Sequence, residues 1–345
     1  MKRVFFSYLV VAATLFTAVD NVYSVQQNKD VYVAGSIDRK AVVWKNGVVH
    51  ALTDGSRNAE ALSVFVKGND VYVVGYERIA ENRSIAKLWI NGTVHNLTDG
   101  RGEGMASSVF VFNERVFVAG YDTEMKRDID FPIAVPKVWV DGVSRIFTDG
   151  TTHDELTSAY ARAVYVHGDD VYVGVTEEWG AGGSVLWKNG VPQYRFDNDA
   201  TISSIFVSHD VYVAGGGKWH GTVWKNGVRQ NIELEDKDAI FPSYVNSVFV
   251  YGNDVYAAGS ERMGENWENS KNVAFLWKNG KAQRLTERNR EGKALSVYVC
   301  DGDVFVVGYE TNSAGQNVAK LWKNGVAQNL TQGNVSGKAN SVFVK

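Results

Sequence analysis

Seven times the chain places a tryptophan two residues ahead of an asparagine or aspartate followed by glycine. The stretches are Trp44-Lys45-Asn46-Gly47, Trp89-Ile90-Asn91-Gly92, Trp139-Val140-Asp141-Gly142, Trp187-Lys188-Asn189-Gly190, Trp224-Lys225-Asn226-Gly227, Trp277-Lys278-Asn279-Gly280 and Trp322-Lys323-Asn324-Gly325. A type I′ turn needs positive φ at both central residues, and Asn-Gly or Asp-Gly after an apolar run is its strongest local signal. Each stretch therefore predicts a hairpin whose first strand carries the tryptophan near its end. The tryptophans recur about every 45 residues, and self-similarity at that period marks a propeller or a solenoid.

The rest of the unit is legible from its neighbours. Asp30-Val31-Tyr32-Val33, rich in β-branched and aromatic residues, begins a strand that ends at Gly35. Ala41-Val42-Val43-Trp44 is the next strand, residues 48–53 return from the turn, and Ser63-Val64-Phe65-Val66 follows. A short turn at Lys67-Gly68-Asn69 then restarts the cycle at Asp70-Val71-Tyr72-Val73. Four short strands per unit predict a propeller blade. We letter them a (Ser-Val-Phe-Val, innermost), b (Asp-Val-Tyr-Val), c (bearing tryptophan) and d. The a–b and c–d turns are short and uniform, whereas the b–c and d–a connections are long and variable. Each kind occupies its own face. The first strand after residue 25 is a b strand, and residues 339–345 are an a strand. Pairing the two completes seven blades and removes the open edges. The expected fold is an all-β, seven-bladed β-propeller of four-stranded blades, closed by the C-terminal strand in the first blade.

This pattern resembles the seven-bladed propellers of kelch type, with an inner strand, a glycine-terminated second strand and a tryptophan-bearing third. It is also similar to tandem repeats of secreted bacterial proteins. The double glycine of the kelch pattern occurs only at Gly215-Gly216. The resemblance speaks for architecture, since propellers host many unrelated activities.

Met1-Lys2-Arg3 and the apolar stretch at 4–18 read as a secretory signal, too short for a membrane span. Cleavage after Ser24 leaves residues 25–345 as one domain. A cut near Ala18 and an uncleaved anchor are the alternatives. Cys300 is the only cysteine, so no intrachain disulfide forms. A formal net charge of −3 gives no electrostatic footprint for nucleic acid or an anionic membrane.

Residues filling the same slot in many blades are architectural; candidates for function lie outside the slots. Trp179, Trp219 and Trp267 are the three tryptophans left over, all in b–c loops of blades four to six. Exposed aromatics on positioned loops suit sugar stacking or a protein partner; folding back onto their own blades is the alternative. His153 and His220 are also on the variable face. Glu77, Asp122, Glu261 and Glu310 each stand two residues after a strand-b glycine. They suggest a carboxylate ring for a cation or acid–base work. Lys87, Lys137 and Lys320 stand across the b–c hairpin in three of those blades, so ion pairs Glu77–Lys87, Asp122–Lys137 and Glu310–Lys320 are the expected account. Glu261 faces Phe275 instead and is retained as a ligand-binding candidate. Asp128 and Asp130 are a weak calcium hint without a ligand loop. The histidines show no ligating spacing, no nucleophile signature occurs, and no metal or cofactor is expected.

The expected function is a secreted, monomeric, non-catalytic binding module. It presents its b–c and d–a loops to a glycan or an extracellular protein through Trp179, Trp219, Trp267, His220 and Glu261. The alternatives are a propeller hydrolase or lyase acting on a polysaccharide, and a structural extracellular repeat with no site.

Overall fold

A computed structural model describes residues 29–125, 131–145, 158–177, 183–197, 199–217, 220–233, 243–266 and 268–345. They form seven four-stranded antiparallel sheets, each in the order a-b-c-d. In blade two the strands are Ala59–Lys67, Asp70–Ala80, Arg83–Ile90 and Thr93–Asn96. Blade one takes its a strand, Gly337–Val344, from the far end of the chain and pairs it with Val31–Ile37. Asp30 and Lys345 exchange backbone hydrogen bonds of 2.9 Å just beyond that pair. The expected ring and its closure are both present; the proposed signal at 1–24 lies outside the described residues.

The two repeated motifs interlock at the turn face. Asn46 sits at φ 51° and Gly47 at φ 80°, as a type I′ turn requires. Asn46 Oδ1 accepts the Val31 N–H at 2.8 Å, and its Nδ2 donates to Asp30 Oδ1 at 2.7 Å. Lys45 Nζ reaches the other Asp30 oxygen at 2.9 Å and lies over the Tyr32 ring. The same clasp recurs with Asp170, Asp210, Asp254 and Asp303. Blade three reverses the chemistry without losing it. Asp141 replaces the asparagine and still accepts the Val116 N–H, while Arg115 replaces the aspartate and donates to Asp141 at 3.2 Å.

Each slot tryptophan fills the joint between its own blade and the one before. Trp44 packs with Phe305 and Val307 of blade seven, and Trp89 packs with Tyr32 and Ala41 of blade one. All seven are buried, at 0–5% exposure. The indole Nε1 of Trp44, Trp89, Trp187 and Trp322 is buried without a hydrogen-bond partner. The ring is retained there for its apolar bulk.

The inner strands build the axis. Every a strand bears a β-bulge at one position, between Ala61 and Ser63 in blade two and at the matching place elsewhere. A Cβ at Gly75 would collide with the Glu60 carbonyl oxygen at this kink, which explains the glycine that ends strand b. After the bulge a serine hydroxyl accepts a backbone N–H of the next blade. Val109 donates to Ser63, Val164 to Ser108, Val248 to Ser204, Val297 to Ser247, Val342 to Ser296 and Val64 to Ser341, all at 3.2–3.3 Å. Ala163 takes the serine's place in blade four. Nearer the turn face, Phe65, Phe110, Tyr165, Phe206, Phe249, Tyr298 and Phe343 form a closed aromatic belt with centroids 4.6–5.4 Å apart. Burial pushes the phenols of Tyr165 and Tyr298 up to about 12.

Three outcomes follow for stability. Deleting residues 339–345 strips blade one of its inner strand, and calorimetry should show a large fall in Tm; an unchanged Tm contradicts closure. Trp89→Ala should cost about 3–5 kcal/mol in denaturant unfolding, the range for emptying an aromatic core site. The clasp aspartates set an acid limit. Hydrogen bonds from Asn324 and Lys323 hold Asp303 at about 2. Those from Asn46 and Lys45 lower Asp30, and lysine followed by asparagine lowers Asp170, Asp210 and Asp254. A depressed folded-state value means stability fully present above the unfolded value of about 4 and lost as pH falls through the folded values. The clasp contribution to the unfolding free energy should therefore be level above about pH 5 and fall between about pH 4 and 2, so that Asp303→Asn flattens the acid limb of a pH series of denaturant unfolding.

Candidate functional site

The face opposite the clasps carries the b–c and d–a connections. There the joint between neighbouring blades opens into clefts floored by a slot tryptophan. Two of these clefts are built from equivalent positions. Between blades one and two a cleft of about 460 Å³ is lined by Asp54, Ser56, Arg57, Glu77, Lys87 and Trp89, among others. Between blades four and five one of about 180 Å³ is lined by Asp197, Asp199, Gly217, His220, Thr222, Trp224 and Arg229, among others. Strand register explains the contrast. Lys87 stands opposite Gly75, and Thr222 stands opposite Gly215. Glu77 and Gly217 each lie two residues further along strand b. Blade five thus replaces the acid and the lysine with glycine and threonine.

His220, just ahead of strand c, lines the cleft of this blade. Gly217 N–H donates to the His220 carbonyl at 3.1 Å. A Cβ at Gly216 would stand 2.8 Å from that carbonyl oxygen, so the second glycine allows this close approach, while Gly215 serves the strand-a bulge as Gly75 does. Arg229 Nε donates to Thr222 Oγ1 at 3.2 Å, leaving the rest of its guanidinium at the cleft. Asp197, Asp199, His220 and Arg229 are all exposed. Two carboxylates, an imidazole and a guanidinium around an apolar floor offer hydrogen bonds of both senses to a polar ligand.

The other candidates fall as follows. Trp179, Trp219 and Trp267 lie outside the described residues, as do His153, Asp128 and Asp130. Glu261 stands in blade six, apart from His220, and is only 2% exposed. It lies opposite Val273, beside Phe275, which stacks on Trp277 with centroids 5.7 Å apart. Its carboxylate is engaged within the protein rather than presented at the surface. Cys300 ends an a strand, and burial raises its thiol above the ordinary value, which disfavours the nucleophilic thiolate. Among the described residues no group of three or more His, Cys, Asp or Glu side chains is placed to hold a metal.

Two of the three expected ion pairs form. Lys87 reaches Glu77 at 2.9 Å, and Lys320 lies 3.8 Å from Glu310, with Arg290 closer at 2.9 Å. The third does not: Lys137 pairs with Glu124 at 2.6 Å rather than with Asp122. Glutamate is one methylene longer and lies two residues along the same face of strand b. Asp122 is left half-buried with Oδ1 unpartnered. Burial, then the charge of Asp99, raise its carboxyl above the ordinary value. Register also adds a fifth acid that counting from the glycine misses. In blade four Val175 fills the glycine slot opposite Ala161, so Glu177 is the counterpart of Glu77. Burial raises the Glu177 carboxyl.

The sequence matches no protein-family model and no curated protein. Solved structures do match. An acylaminoacyl peptidase in complex with Z-Gly-Gly-Phe-chloromethyl ketone superposes with a TM-score of 0.52 at 14% identity, over 90% of this chain and 51% of the peptidase. The Pyrococcus horikoshii acylaminoacyl peptidase in its orthorhombic crystal form gives 0.52 at 14% identity, over 90% and 52%. This chain therefore spans about half the length of either peptidase, and at that identity the likeness is one of fold.

Asp122 supplies a test of the electrostatics. A carboxyl raised on folding costs stability where it is ionised and ceases to cost it as pH falls through its folded value. Asp122→Asn should raise Tm at pH 7, with the gain shrinking as the buffer is acidified. An equal Tm at pH 7 places the carboxylate in contact with water or a cation.

Proposed function

We propose that the chain is a secreted, non-catalytic binding module that recognises a glycan or an extracellular protein surface with its b–c and d–a loops. The observation that carries this reading is the cleft between blades four and five. Where the equivalent cleft of blade two is lined by the Glu77–Lys87 ion pair, Gly217 and Thr222 stand here, and Asp197, Asp199, His220 and Arg229 surround the space. A rigid ring that varies only its loops is a scaffold for recognition. Trp219, next in sequence to His220, and Trp179 and Trp267 in the neighbouring loops would add aromatic faces to that surface. In this reading residues 1–24 are a cleaved signal peptide and the mature ring acts as a monomer.

A glycan array and a panel of extracellular proteins, probed with wild type, Arg229→Ala, His220→Ala and the triple Trp179→Ala, Trp219→Ala, Trp267→Ala variant, test the proposal. A ligand should emerge whose affinity falls about tenfold in Arg229→Ala, the scale of a charge-assisted hydrogen bond. Equal binding by wild type and all variants, for every ligand found, would remove the cleft from the account. The two peptidase neighbours favour a second reading, a hydrolase. Turnover of a polysaccharide or an acylated peptide that disappears in His220→Ala would put that reading in place of the first.

A further inference from the structure

The propeller axis holds a second polar site, made where the ring departs from its own repeat. The seven inner strands enclose a blind well of about 140 Å³. The aromatic belt lies beneath it on the turn side, so it opens toward the variable loops. The bulge slot contributes Leu62, Ser107, Ser203, Asn246, Leu295 and Asn340 in six blades and Arg162 in blade four. Arg162 is the one ionisable residue among the described residues lining the well. Its guanidinium lies over the Tyr160 ring at 4.5 Å, and that ring meets Tyr121 edge-on at 4.8 Å. The cation is thus positioned by stacking, and it pairs with no carboxylate among the described residues. Glu60 beside the well is already held, accepting from Asn340 Nδ2 at 3.0 Å and Tyr76 Oη at 3.4 Å.

The residue after Arg162 breaks the serine collar. Ala163 cannot accept the N–H of Ile205, although the six equivalent N–H groups each have a serine acceptor. Blade four thus sets an arginine over Tyr160, on its blade-three side, and leaves the Ile205 N–H of blade five without the serine acceptor of its six counterparts; both residues line the well. Ser107, also in the wall, has a buried Oγ without a partner. A charged donor and a backbone donor on the wall of one small well are the elements of an oxyanion cradle.

We propose that this axial well binds the carboxylate of an acidic sugar, a uronate unit of a glycan, with Arg162 and the Ile205 N–H as its donors. The well is too small for more than one group and its immediate substituents. Its wall of serine hydroxyls and asparagine amides can exchange hydrogen bonds with sugar hydroxyls in both senses. Tyr244, 43% exposed and beneath Lys293, offers an aromatic face nearby. The inference extends the binding-module reading to a second place on the same face, and it names the ligand class.

Titrating the full chain with D-glucuronate, D-glucose, acetate and a glutamate-containing peptide, followed by NMR or calorimetry, tests it. Glucuronate should bind wild type, glucose should not, and acetate and the peptide should bind more weakly. Arg162→Gln should weaken glucuronate about tenfold or more. Ala163→Ser gives Ile205 the acceptor its equivalents have; it should keep or raise Tm while weakening glucuronate. His220→Ala should leave glucuronate unchanged, so failure here and failure of the cleft are told apart. Absence of glucuronate binding, or an equal Kd in Arg162→Gln, overturns the proposal. A peptide that binds as tightly as glucuronate overturns the assignment to sugars.

Discussion

One contact, repeated around the ring, carries the architecture: the aspartate that opens strand b held by the asparagine and lysine of the c–d turn. It joins two hairpins that are adjacent in space and some fifteen to twenty-five residues apart in sequence, as Asp30 with Asn46 and Asp254 with Asn279 illustrate. The asparagine does two tasks at once. Its backbone adopts the positive φ of the turn, and its amide ties off the first N–H of strand b. Blade three shows that the geometry matters more than the residue identities, because Arg115 and Asp141 exchange the charges and keep the bond to Val116. With the outer end of every blade fixed in this way, the tryptophan beside the clasp is delivered to the same depth in every joint.

Much of this was legible in advance because the turn chemistry is local. Asn-Gly states a type I′ hairpin without help from the rest of the chain, and seven such statements at one period leave few alternatives to a ring. Leu-Thr follows four of the d strands, and its threonine, Thr53, Thr98, Thr286 or Thr331, accepts a backbone N–H of strand c. What counting along the chain could not supply was register. Glu177 escaped notice because blade four carries its glycine one residue early. Asp122 was matched to Lys137 because the greater reach of Glu124 is a property of the folded strand.

The candidate sites were less legible, for a physical reason. The two clefts differ in what lines them: blade two keeps an ion pair that blade five lacks. Gly217 and Thr222 are unremarkable in sequence, and their meaning appears only when they are laid over Glu77 and Lys87. The axial well is similar. A serine repeated in six inner strands reads as ordinary strand composition until its hydroxyl is seen capping the next blade, and only then does Ala163 become an omission.

The six serine bonds all run in one sense around the axis, each blade capping the next, so the ring is a chain of like joints with one link left out. That link lies between blades four and five, under the His220 cleft and next to Arg162. A molecule lodged across it would act as a rivet, supplying the connection that the backbone lacks. The breathing of the whole disc would then report on whether the joint is occupied.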